Sequence, residues 1–256
     1  MSEPTVTDRG EWADPELISW WQREFTDGVD PEYTEQIIPL IVDQVGGAGR
    51  VLDVGAGEGQ VSRALAESGA MVVGIDPFGG QIVEAARRGR EVTYGLAEAA
   101  RLPFDSGVFD AVVACLVFEH IDEVDGAIAE VARVLRPGGT FLFLLNHPLL
   151  QTPGSGWIDD QMLDPPEQYW RIGPYLIEQA TIEEVQKNVF VRFIHRPLSR
   201  YLNALSAAGL TLEHMFEPAP PPGFLAQSPE YFEAETVPRL LALRLRRGSV
   251  QGGHGS

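Results

Sequence analysis

The sequence predicts an α/β fold, a mostly parallel sheet covered by helices on both faces. Between residues 50 and 146 short apolar runs alternate with amphipathic ones, the rhythm of successive strand–helix units. The runs 111–118 and 141–145 are almost wholly apolar, as expected of strands buried on both faces. A glycine turn, Gly55-Ala56-Gly57-Glu58-Gly59, stands where the first strand hands over to a helix.

Taken in order, residues 1–46 read as a helical N-terminal extension. Asp14-Pro15-Glu16 and Asp30-Pro31-Glu32 each place a capping acid before proline at the first helical position, where its missing N–H costs nothing. Trp20, Trp21, Phe25, Ile37, Ile38 and Ile41 supply the packing residues. An α/β core over 47–146 follows, with strands expected at 50–54, 71–75, 92–95, 109–115 and 139–145. Helices are expected at 59–68, 79–89 and 122–135, the last stopped by Pro137-Gly138-Gly139. Residues 147–196 break the rhythm with prolines, glycines and aromatics. They are too long for a plain connection and are expected to form a lid insertion over the site. Residues 197–247 complete the sheet with a helix at 198–208, stopped by Gly209, and strands at 210–216 and 239–246. A disordered tail is expected over 248–256.

Composition narrows the function. With 44% hydrophobic residues among 256, the chain has material for one sizeable core, which disfavours disorder and a coiled coil. Its 37 acids against 19 bases leave a net charge of −18, and no basic face is visible that could displace counterions from phosphates, so no nucleic-acid partner is expected. Residues 1–43 hold eleven acids and two arginines, half of the net charge, and read as a solvated helical face. The single cysteine, Cys115, cannot form an internal disulfide and reads as a small buried hydrophobe. No basic-then-apolar leader or membrane-length apolar run appears, so a cytoplasmic protein without a membrane partner is expected, as monomer or homodimer. No Cys/His/Asp set has metal-ligand spacing, and no metal is expected.

The sharpest local signal is Val51-Leu52-Asp53-Val54 running into the glycine turn. Seventeen residues after Gly59, the strand Met71-Val72-Val73-Gly74-Ile75 ends in Asp76, placed for a carboxylate to accept from both hydroxyls of a ribose. A dinucleotide site would want G-x-G-x-x-G, whereas this loop is one residue tighter. It is flanked by Asp53 and Glu58, a poor setting for a pyrophosphate and a tolerable one for an amino group or a sulfonium. A nucleoside-bearing ligand without a pyrophosphate follows.

Over about residues 48–146 the sequence resembles the class I S-adenosylmethionine-dependent methyltransferases, most closely the bacterial subgroup called type 11. The stretch from Asp53 through Gly55, Ala56 and Gly57 to Gly59 looks like the family's first motif, and Asp76, followed by Pro77 and Gln81, matches its ribose-binding acid. Tyr94-Gly95-Leu96-Ala97-Glu98 resembles the adenine-binding stretch, with Leu96 where an Asp is usual. Leu102-Pro103-Phe104 and Phe109-Asp110-Ala111-Val112 fit the approach to the fourth strand; Leu116-Val117-Phe118-Glu119-His120 fits the motif beside the transferred methyl. Leu135-Arg136-Pro137-Gly138-Gly139-Thr140 fits the turn before the fifth strand. The resemblance implies a Rossmann-like seven-stranded sheet with an antiparallel last strand. It also implies S-adenosyl-L-methionine as cofactor and S-adenosyl-L-homocysteine as product, and a small-molecule acceptor as partner.

Ligands of open α/β sheets occupy the crevice beyond the strands' carboxyl ends. Two such ends are expected to face the acceptor, 118–120 and 146–147. His147 is the first choice as the base for a hydroxyl acceptor, with Glu119 and His120 as further catalytic candidates. Asn146, Trp157, Tyr169, Trp170, His195 and Tyr201 are expected to line the acceptor, their rings as a wall and their polar tips reading hydroxyls. Trp20 and Trp21 read first as helix packing, with the option of closing the cofactor pocket. On this basis O-methylation of a saccharide or hydroxylated metabolite leads, and C-methylation of a quinone-type ring is the alternative; a non-catalytic or NAD-binding protein on the same sheet stands further off.

Overall fold

The computed structural model describes residues 14–26, 29–227 and 234–248. Its centre is a seven-stranded sheet in the order β10-β11-β5-β4-β1-β2-β3. The strands are β1 (Arg50–Val54), β2 (Met71–Asp76), β3 (Thr93–Leu96), β4 (Phe109–Cys115), β5 (Leu135–Asn146), β10 (Leu210–Phe216) and β11 (Leu240–Arg247). β1 pairs parallel with both β2 and β4, and β4 pairs parallel with β5. β11 runs antiparallel to both β5 and β10. After β1 the chain moves outward through β2 and β3, then returns to the other flank of β1 as β4. This reversal opens a crevice at the carboxyl ends of β1 and β4.

Two apolar clusters cover the two faces of the sheet. Val112, Ala114, Phe141 and Phe143 pack on one side with Ile128 and Val131 of α5 (Val124–Val134) and with Tyr201 and Leu205 of α6 (Leu198–Ala207). Val51, Val113 and Leu144 pack on the other with Leu65 of α3 (Gln60–Glu67) and Ile41 of α2 (Ile38–Val45). Alternate residues of one strand serve opposite faces, which is why the sequence runs are continuously apolar.

The elements expected from the sequence form within two residues at most of their ends, except the fifth strand. Pro137 disfavours the helical region for Arg136, so α5 ends at Val134 and the chain becomes extended at Leu135. The Pro-Gly-Gly segment thereby belongs to an irregular start of β5. In α1 (Pro15–Phe25) the Asp14 carboxylate accepts from the Glu16 N–H, the expected cap. The second expected helix also starts at its acid, with Asp30 accepting from the Glu32 N–H, but it opens with a wider π-helical segment, Glu32–Ile37, before continuing as α2. Residues 249–256 of the expected tail lie outside the described residues.

The insertion folds into two hairpins, β6 (Gly156–Asp160) with β7 (Glu167–Arg171) and β8 (Gln179–Gln186) with β9 (Val189–His195). β9 is clasped by the N-terminal extension: its Val189 and Val191 pack with Leu17 and Trp20 of α1. At its far end Arg196 donates to the carbonyls of Phe118 and Ile121, fastening the hairpin to the turn after β4.

Candidate active site

The crevice holds a cavity of about 1100 Å³, a figure that includes open solvent at its mouth. Its walls come from the glycine turn, from the end of β2 through Asp76, Pro77, Phe78 and Gln81, from Leu116, Val117, His120 and Ile121 after β4, and from the N-terminal extension. Asp53, Glu58 and Asp76 line it; no lysine or arginine does among the described residues.

The turn keeps its shape because Gly55, Gly57 and Gly59 all have positive φ. At Gly55 a Cβ would overlap the Val117 side chain, whereas at Gly57 no heavy atom lies within 4 Å, so the loop surface there is open to a ligand. Asp76 sits almost buried at the end of β2. One of its oxygens accepts from the Gly57 N–H at 3.1 Å and the other from the Phe78 N–H at 2.9 Å. A carboxylate offers about four acceptor positions, so each oxygen keeps capacity for a ribose hydroxyl. Burial pushes the Asp76 carboxyl up to about 6, against the two backbone N–H groups that favour its ionised form. Asp53, beneath the turn, accepts from the Ser62 hydroxyl at 2.6 Å and is likewise raised by burial to about 6. Two buried acids at the upper end of their range are an unfavourable pair to leave ionised, and a cation between them relieves that cost. S-adenosylmethionine fits these residues: acceptor capacity at Asp76, an open glycine surface and an acid-lined wall for a sulfonium and an amino group.

Of the twelve residues expected to bind the cofactor, Asp53, Gly55, Ala56, Gly57, Asp76, Pro77, Gln81, Ala97 and Leu116 line the cavity. Three do not. Gly59 caps α3 in the left-handed region with its Cα facing the Tyr94 hydroxyl. Glu98 is exposed, and its backbone pairs with that of Arg101. Phe118 is fully buried against Phe143, with ring centroids 4.8 Å apart.

Most of the side chains expected at the acceptor lie away from this cavity. His147 lies beyond β5 as foreseen, but both ring nitrogens are engaged away from the cavity. Nε2 pairs with Glu217 at 2.8 Å, and Nδ1 accepts from the Leu149 N–H at 3.2 Å. Glu119 is buried behind the cavity wall, where its Oε1 accepts from the Asn146 side-chain amide at 2.9 Å; the same contact turns Asn146 inward. Oε2 of Glu119 has no hydrogen-bond partner, and burial raises its carboxyl to about 7. Trp157 and Trp170 face each other across the β6–β7 hairpin at 5.5 Å, and Tyr169 projects to solvent. His195 bonds the Tyr175 carbonyl at 2.8 Å, and Tyr201 packs on Phe143. None of these lines the cavity.

His120 does line it. Its Nδ1 lies 2.8 Å from the Arg192 carbonyl, which can only accept, so Nδ1 carries the hydrogen and Nε2 is the basic nitrogen. Burial, reinforced by the Arg192 charge, lowers this imidazole to about 4, so it is neutral at physiological pH. The cavity is further walled by Trp21, Thr26 and Tyr33 from the N-terminal extension, with Cys115 and Ile121. Thr26, Tyr33 and Cys115 were not singled out for this role by the sequence, because helical periodicity marks a buried face without saying what the face covers.

Comparison with known proteins agrees with this geometry. Residues 52–143 match the family model described as a methyltransferase domain. A demethylmenaquinone methyltransferase of Renibacterium salmoninarum is 37% identical over 112 residues, 43% of this chain and 47% of that protein. Its counterpart in Thermobifida fusca is 35% identical over 153 residues, 54% of this chain and 64% of that protein. The chain thus matches between about half and two thirds of the length of these relatives. The crystal structure of an S-adenosylmethionine-dependent methyltransferase from Mesorhizobium loti superimposes with a TM-score of 0.71 at 28% identity, covering 86% of this chain and 99% of that one. The α/β core of this chain is therefore a methyltransferase domain of the S-adenosylmethionine-dependent class I family, type 11 subgroup.

Proposed function

We propose that the protein transfers a methyl group from S-adenosylmethionine to a carbon of a hydroxylated, quinone-type aromatic ring. The observation that carries the cofactor half is Asp76, buried at the end of β2 with acceptor capacity to spare in a cavity lined by acids and no cation. S-adenosylmethionine supplies the electrophilic methyl group. The chain's own contribution is to bind, to exclude water and to manage one proton.

For the acceptor, the cavity wall contributed by Trp21, Tyr33, Leu116, Val117 and Ile121 suits a flat uncharged ring. No lysine or arginine among the described residues lines the cavity to receive an anionic one, since Arg63 and Arg88 are engaged in ion pairs with Glu58. Nε2 of neutral His120 accepts the proton of a ring hydroxyl, which raises electron density at the neighbouring ring carbon. That carbon takes the methyl as the methyl's bond to sulfur breaks, and the hydrogen the carbon carried is lost as a proton while the oxygen regains one, so that one proton is released overall. The named activity of the Renibacterium and Thermobifida relatives supports a quinone ring. O-methylation with His147 as base is the weaker reading, since its ring is held by Glu217 and Leu149.

The test is incubation with methyl-labelled cofactor and naphthohydroquinone kept reduced, with the product identified by NMR. A ring-carbon methyl is expected. A methyl ether as sole product would overturn the carbon assignment, and absence of S-adenosylhomocysteine binding by calorimetry would overturn the whole reading.

A further inference from the structure

The N-terminal extension contributes one polar group to the acceptor end whose setting is unusual. Tyr33 is buried, lines the cavity and sits in the π-helical segment Glu32–Ile37 that opens the helix continuing as α2. A π-helical turn widens the helix locally and re-aims the side chains it carries, and such turns concentrate at functional sites. The hydroxyl of Tyr33 interacts with the Cys115 thiol at the end of β4, and Cys115 lines the same cavity. The next residue, Leu116, also on the wall, holds φ at +55°, a left-handed conformation that leucine adopts at a cost. Two irregular backbone segments, far apart in sequence, therefore meet through Tyr33 and Cys115.

We propose that Tyr33 is the acceptor-orienting residue, its hydroxyl leaving the Cys115 thiol to donate a hydrogen bond to an oxygen of the bound acceptor. The chemistry rests on the difference between the two partners. Sulfur is a weak acceptor, so a tyrosine hydroxyl set beside a thiol is a donor ready for a carbonyl or phenolic oxygen. Burial and the nearby Asp30 and Glu119 carboxyls hold the phenol well above its ordinary titration range, so Tyr33 stays a donor at all working pH values. His120 lines the same cavity as a proton acceptor. One donor and one acceptor lining one cavity can fix the orientation of a ring, where either alone would allow it to turn over. Cys115 becomes the resting partner of Tyr33, which accounts for a thiol that burial keeps protonated and unreactive in a cavity wall.

This inference rests on the proposed function, and the experiment separates the two. Tyr33→Phe keeps the ring and its packing and removes only the hydroxyl; Cys115→Ala removes the resting partner. Binding of S-adenosylhomocysteine is measured first by calorimetry, then binding of naphthoquinone to the S-adenosylhomocysteine-saturated protein through quenching of tryptophan fluorescence. Tyr33→Phe is expected to leave S-adenosylhomocysteine affinity unchanged and to weaken naphthoquinone about 3- to 10-fold, the worth of one hydrogen bond to a neutral oxygen. Cys115→Ala is expected to leave naphthoquinone affinity equal or tighter, because the donor no longer has to be drawn from sulfur. With naphthohydroquinone as substrate the Tyr33→Phe loss should fall on KM more than on kcat. Equal naphthoquinone affinity in wild type and Tyr33→Phe overturns the proposal, as does a wild type that binds S-adenosylhomocysteine but not naphthoquinone. Failure of the wild type to bind S-adenosylhomocysteine removes the proposed function itself.

Discussion

The strand ends around β1, β2 and β4 and the insertion after β5 both concentrate the residue types from which active sites are made, and they use them in opposite ways. At the strand ends the backbone satisfies part of each polar group and leaves the remainder facing a cavity: Asp76 holds two N–H groups and keeps further acceptor capacity. In the insertion the same types close on one another, Trp157 on Trp170 and His195 on the Tyr175 carbonyl. The insertion still leaves Trp170 Nε1 and His195 Nδ1 buried without a hydrogen-bond partner, so what separates the two regions is access: the strand-end groups line a cavity and these do not.

The sharpest way to break this comparison uses two glycines with nearly the same φ, Gly55 at +73° and Gly154 at +75°. Alanine at Gly55 adds a clash with Val117 to the left-handed strain and should cost about 2–5 kcal/mol, read as a large fall in Tm together with loss of S-adenosylhomocysteine binding. Gly154→Ala has open space and should cost only about 1–2 kcal/mol, without effect on binding. Equal losses at the two sites would mean that the turn is not sterically locked.

Asp76→Ala should weaken S-adenosylhomocysteine by about 1–3 kcal/mol, roughly 5- to 150-fold by calorimetry, because a buried charged acceptor is lost. His147→Ala and Trp157→Ala should leave that affinity within about 2-fold, since neither side chain lines the cavity.

The pH dependence tests the same division. Asp53 and Asp76 both titrate near 6 in the folded protein, raised from 3.8 by burial. Between those values the folded state binds more protons than the unfolded one, so these two groups make the unliganded protein lose stability as pH rises from about 4 to 6. Cofactor affinity should run the other way, flat above about pH 7 and falling up to about tenfold per unit below 6 as Asp76 takes a proton. Calorimetry from pH 5 to 8 checks it; a flat profile would remove Asp76 from ribose binding. The smallest effect belongs to His120: with an imidazole near 4 it should add no limb to the activity profile between pH 6 and 8.

How much of this was legible in the sequence differs between the two halves of the site. The glycine turn and Asp76 are local: positive φ, a strand end and an acid at a fixed distance along the chain are set by neighbouring residues, so their types reveal them. Tyr33 and His147 show the limit. Both were visible as residues, but whether a side chain faces a cavity depends on what approaches it from far along the chain, Cys115 in one case and Glu217 in the other. The aromatic content of the insertion was equally plain, and its cross-strand pairing turned it away from the acceptor.

By itself the sequence determined the alternating strands and helices and the acid-flanked glycine turn, because periodicity, capping and turn chemistry act over a few residues, while the antiparallel ending came from the family resemblance. Only the tertiary structure decided which walls close the cavity. It drew them from the N-terminal extension, since α1 and the π-helical turn bury their aromatic faces against β9 and the sheet. That burial is non-directional: it requires a partner surface but does not specify one, so only the packed chain selects it.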